Sequence, residues 1–97
     1  MTEAEDLGDA DLEDGNRRAA PTARAVLDHL VASLVDDPDA VVIDVDEGRV
    51  VALRVSVAPD DMGRVIGRRG RIANAIRTVV RAAAARDGAE VDVDFVD

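Results

Sequence analysis

The sequence has no cysteine, no lysine, one aromatic residue (Phe95) and one histidine (His29) in 97 residues. Without cysteine, disulfides and thiolate metal sites are excluded. No apolar stretch approaches the roughly 20 residues that a membrane helix needs. The first residues are acidic and lack the basic n-region and apolar h-region of a signal peptide. A cytoplasmic protein without a membrane partner is the expectation. His29 falls in an apolar-periodic segment with no tyrosine or cysteine beside it, which is the setting of a helix residue and not of a catalytic one. No GxGxxG follows a strand, so a dinucleotide site is not expected. Neither an enzyme nor a small-molecule substrate or cofactor is indicated. The acids that alternate over residues 90–97 suit the solvent face of a strand better than a divalent metal site.

What is present is charge, unevenly placed. The chain carries a formal net charge of -9. Residues 1–16 hold seven acids (Glu3, Glu5, Asp6, Asp9, Asp11, Glu13, Asp14) and no base. So much charge on so few large apolar residues cannot repay the entropy of ordering. Residues 1–19 are therefore read as a disordered acidic tail and 20–97 as one small domain. The tail is a solubilising extension, a screen against nonspecific nucleic acid, or an occupant of the site described below. Fourteen acids and twelve arginines make up the charge of residues 17–97. Within that span, 60–86 sets seven arginines (Arg64, Arg68, Arg69, Arg71, Arg77, Arg81, Arg86) against two acids (Asp60, Asp61). A charge run is usually a solvated face, but this one surrounds two glycines.

Pro21-Thr22 opens a helix, with Val26, Leu27, Leu30, Val31 and Leu34 as its apolar stripe. Asp36-Asp37-Pro38 stops it. Val41, Ile43 and Val45 alternate with Val42, Asp44 and Asp46 as a strand. Glu47-Gly48 turns the chain, and Val51, Leu53, Val55 and Val57 mark a second strand facing the core. Pro59-Asp60-Asp61 starts a short helix over about 60–66, the paired acids acting as caps at helix ends. A longer helix runs from about Arg71, with Ile72, Ile76, Val79, Val80 and Ala83 on its buried side, to Gly88. Val91, Val93 and Phe95 form a last strand.

Between the two later helices lies Gly67-Arg68-Arg69-Gly70. Glycine admits positive φ and close approach of another backbone. The loop feeds a helix N-terminus, where unpaired N–H groups and the helix dipole favour phosphate, and two arginines add forked donors. Val65, Ile66, Ala73 and Ile76 supply an apolar floor beside this rim. A rim for phosphate and a floor for bases suit a short single strand. With one aromatic residue in the chain, bases must be met by aliphatic contact and hydrogen bonds, not on the stacking platforms of RRM or OB folds.

Val65-Ile66-Gly67-Arg68-Arg69-Gly70, with Ile76 beyond it, resembles the I-G-x-x-G signature of KH domains. The order helix, strand, strand, helix, helix, strand is similar to the type II arrangement of that fold. Chain length, the run Met62–Gly67 and the run Ala75–Val80 resemble the small single-domain bacterial KH proteins of the KhpA family. Ala73 departs from the KH pattern, standing where many KH domains carry a larger aliphatic residue. The resemblance implies an α+β two-layer fold, order α-β-β-α-α-β, in which a three-stranded sheet packs against three helices. It implies single-stranded RNA as ligand, held by Arg64, Ile66, Gly67, Arg68, Arg69, Gly70, Arg71, Ala73 and Asn74. It implies a post-transcriptional regulator or RNA chaperone that forms a homodimer, or a heterodimer with a KhpB (Jag/EloR)-type KH protein. Two other readings remain open from the residues alone. One is a helix-hairpin-helix DNA-binding module, which the three expected strands oppose. The other is a dimerisation module without RNA specificity of its own.

Overall fold

The computed structural model describes residues 20–96. The expectations for residues 1–19 and for Asp97 lie outside the described residues. Helix α1 spans Pro21–Leu34, β1 Val42–Asp46, β2 Val51–Ser56, α2 Met62–Ile66, α3 Arg71–Ala84 and β3 Val91–Phe95, and single 3-10 turns fill Pro38–Ala40, Pro59–Asp61, Arg68–Gly70 and Ala85–Asp87. This is the α-β-β-α-α-β order of the KH fold, with three helices and one three-stranded sheet.

The sheet runs β1-β2-β3. β1 and β2 are antiparallel neighbours joined by a short loop. β2 and β3 are parallel, so the chain must cross over between them, and α2 and α3 form that crossover. The register stacks Val45, Leu53 and Val93 in one row and Ile43, Val55 and Phe95 in another. These rows face the helices, with Val51, Leu53 and Val55 of the central strand fully covered. The intervening row, Asp44, Arg54 and Asp94, faces away. Asp46 and Asp92 share that outer face, and the Arg54 guanidinium reaches Asp46 at 3.1 Å. Alternation with period two sorts charge from core along each strand.

α1 buries Ala23, Leu27 and Val31, and it packs along α3. Its N-terminus is not capped locally. Ala20 is buried in the left-handed region (φ 54°, ψ 66°) and has no side-chain acceptor to offer. The first N–H groups of a helix need partners from elsewhere. Asp87, after α3, supplies them: the N–H groups of Thr22 and Ala23 donate to its two carboxylate oxygens at 3.2 and 3.1 Å.

The buried stripe of α3 is Ala73, Ile76, Val80 and Ala84. The sequence expectation of Ile72, Ile76, Val79, Val80 and Ala83 is therefore rotated by part of a turn. Ile72 and Val79 are exposed, Val79 by 48%. Small residues at 73 and 84 bring α3 close to its neighbours, and Ile72 has another partner, the backbone of Gly67.

Candidate functional site

α2 is barely more than one turn, and its exit is set by glycine. Gly67 adopts φ 75°, ψ 175°, Arg69 φ 57°, ψ 24°, and Gly70 φ 72°, ψ 17°. Three of four loop residues thus have positive φ. The Gly70 N–H donates to the Gly67 carbonyl at 3.2 Å, closing a tight turn directly onto α3. The two glycines are required for different reasons. A Cβ at Gly67 would lie 2.6 Å from Cγ1 of Ile72, and its backbone region is open to glycine almost alone. A Cβ at Gly70 would meet nothing within 4 Å, so only its left-handed backbone favours glycine there. Arg69 holds the left-handed region without being glycine, at a cost of about 1–2 kcal/mol.

Arg68, Arg69 and Arg71 are exposed, and none forms an ion pair among the described residues. The other arginines near α2 and α3 divide sharply from these. Arg64 binds Asp61 at 3.2 Å and Asp36 at 3.0 Å. Arg77 donates through Nε to the Val93 carbonyl at 2.9 Å and through Nη1 to the Asn74 side-chain oxygen at 2.9 Å. Its guanidinium also lies 5.6 Å from the Phe95 ring centre, a cation–π distance. Arg81 pairs with Asp92 at 3.5 Å. Arg86 is exposed and unpaired among the described residues, but it lies at the far end of α3. Three of the arginines without an ion pair among the described residues, Arg68, Arg69 and Arg71, thus gather in the loop and the first turn of α3, at the positive end of the helix dipole.

The structure places the sequence-predicted residues as follows. Arg68, Arg69 and Arg71 stand together in and just after the turn of Gly67 and Gly70. Ile66 is half-buried beside it. Arg64 is exposed but held by two carboxylates. Asn74 is exposed, with its side-chain oxygen occupied by Arg77. Ala73 is 2% exposed. The floor expected from Val65, Ala73 and Ile76 lies inside the core. Ile66 and the exposed part of Ile72 are the apolar surface next to the turn.

Asp61 corrects a second expectation. It caps no helix of its own. Its carboxylate is 2% exposed and accepts the N–H groups of Asp36 and Asp37, both at 3.1 Å, as well as Arg64. It thereby ties the turn after α1 to the start of α2 and so fixes the element that delivers Gly67. Sequence reasoning missed this clamp. Its one signal is an acid directly ahead of a short helix.

The family model of the KhpA/KhpB KH domain matches residues 24–95. RNA-binding protein KhpA of Halalkalibacterium halodurans is 44% identical over 75 residues, covering 76% of this chain and 99% of that protein. RNA-binding protein KhpA of Streptomyces coelicolor is 50% identical over 74 residues, covering 73% and 90%. The protein of the same name from Leifsonia xyli is 51% identical over 72 residues, covering 73% and 92%. No solved structure matches the chain significantly. With the match spanning α1 to β3 and the glycine turn placed between α2 and α3, the chain belongs to the KhpA/KhpB KH-domain family.

Proposed function

We propose that the chain binds single-stranded RNA, with Gly67–Gly70 against the sugar-phosphate backbone. The observation that carries this reading is the sorting of arginines. Arg64, Arg77 and Arg81 are committed to protein acceptors, and Arg68, Arg69 and Arg71 stand beside a helix N-terminus with no ion pair among the described residues. Family relatives named RNA-binding protein KhpA support it. Gly67 and Gly70 let the strand approach the turn. Arg68, Arg69 and Arg71 meet phosphates, as a guanidinium does in a forked geometry. Ile66 and Ile72 offer aliphatic contact to a base, Asn74 offers its amide, and Ala73 sets the spacing beneath them. Arg64 stays on its acids and positions α2. The three strands oppose the helix-hairpin-helix reading, which normally belongs to all-helical units.

A single small footprint gives weak binding. Pairing with a second copy, or with a KhpB-type KH protein, would join two sites and raise affinity through effective concentration. Regulation of RNA in the cytoplasm, as chaperone or post-transcriptional regulator, is the role that fits. Fluorescence anisotropy over a salt series tests the reading. Neutralising two to four phosphates gives a log–log slope of roughly -1.5 to -3 on single strands. Equal or tighter binding to duplex DNA would overturn it.

A further inference from the structure

We infer that the acidic segment 1–16 is an internal competitor for the arginine turn, so that RNA must displace the chain's own N-terminus. The inference rests on the reading of Arg68, Arg69 and Arg71 as anion-binding groups. Three observations carry it. The turn presents three exposed cations with no ion pair among the described residues. The segment holds seven carboxylates and no base, and carboxylates accept the same forked guanidinium bonds as phosphates. The geometry also allows the contact. Asp87, just past the C-terminal end of α3, binds the first turn of α1, so the acidic segment joins the domain at the end of α3 opposite the turn. A 14-residue α3 is about 21 Å long. The eleven residues from Asp9 to Ala20 reach at most about 36 Å when extended. A flexible chain of that length averages about 18 Å. A coil of that length would hold the acids at a distance that matches the span, where effective concentration is near its maximum, of millimolar order.

The sequence of the segment fits competition better than permanent closure. Its acids are spread over twelve positions, Glu3 to Asp14, so many weak registers compete and none is locked. Each contact is exchangeable and falls with salt. Such a competitor removes weak, nonspecific polyanions first and yields to a strand that gains further contacts on Ile66, Ile72 and Asn74.

The test uses the full chain and a full-length variant with every acid of the segment neutralised (Glu3→Gln, Glu5→Gln, Asp6→Asn, Asp9→Asn, Asp11→Asn, Glu13→Gln, Asp14→Asn). Two quantities are read at low and high salt: affinity for a labelled twelve-nucleotide oligouridylate, and the amide NMR shifts of Gly67, Arg68, Arg69 and Gly70 without RNA. The expected result is roughly 2- to 10-fold tighter RNA binding by the variant at low salt, with loop amides that differ between the two proteins and converge at high salt. Loop amides that coincide at low salt overturn the inference. That holds even if affinity rises, because the gain would then be long-range repulsion relieved. Shifted loop amides with no RNA binding by either protein uphold the tail contact and overturn the RNA reading instead.

Discussion

At the scale of single residues, the turn divides into positions that build it and positions that use it. Gly67 is irreplaceable on two counts, its backbone region and the Ile72 side chain 2.6 Å from where a Cβ would sit. Gly67→Ala should cost about 3 kcal/mol or more, because strain and overpacking add. Gly70→Asn should cost less than about 1 kcal/mol, because asparagine tolerates the left-handed region and nothing lies within 4 Å. Urea unfolding of the two variants checks the difference, and equal losses would contradict the separate roles. Arg69 shows the opposite balance. Arg69→Gly relieves left-handed strain and should leave stability unchanged or raise it by up to about 1 kcal/mol. The same change should weaken RNA binding and shorten the salt slope by about 0.7, the contribution of one phosphate on a single strand.

At the scale of elements, two carboxylates do what neighbouring sequence cannot. Asp87 caps α1 from 64–65 residues away, and Asp61 clamps Asp36 and Asp37 from 24–25 residues away. Asp87→Ala should lower stability by about 1 kcal/mol, the usual worth of an N-cap, and shift Tm down by roughly 4–8 °C for a domain of this size. Asp61→Ala should cost more, about 2–3 kcal/mol, since it removes the acceptor of two partly buried N–H groups and releases Arg64. Thermal unfolding followed by circular dichroism ranks the two. These contacts also mark where sequence reading stops. The strands are legible because alternation with period two is a local property, visible in Val51-Leu53-Val55 and Val91-Val93-Phe95. The glycine turn is legible because its spacing between two helical patterns is local too. The face of α3 is not, because Ile72 leaves the core stripe to cover Gly67, and that partner appears only after the chain has turned. Nor is the division of the arginines. Arg64 and Arg81 are held by Asp36 and Asp92, which the sequence places 28 and 11 residues away.

At the scale of the whole molecule, charge is separated by layer. Asp44, Asp46, Asp92 and Asp94 lie on the outer face of the sheet, with Arg54 among them and Arg81 reaching Asp92 from α3. The helical layer carries Arg68, Arg69 and Arg71 together at one end of α3, without an ion pair among the described residues. Surface charges more than about one Debye length apart, roughly 8 Å at physiological salt, hardly sense each other. A chain of net charge -9 can therefore keep a cationic turn on the helical side while its sheet face is acidic. RNA binding by that turn is the central proposal. Its most direct test is Arg68→Asp combined with Arg69→Asp, compared with the parent by urea unfolding and by titration with the labelled oligouridylate. Both side chains are exposed, and exposed substitutions change stability by no more than about 0.5 kcal/mol. The account predicts superimposable unfolding curves and loss of RNA binding. Binding kept at parent affinity by a folded double variant would contradict it and place the ligand on another face of the domain.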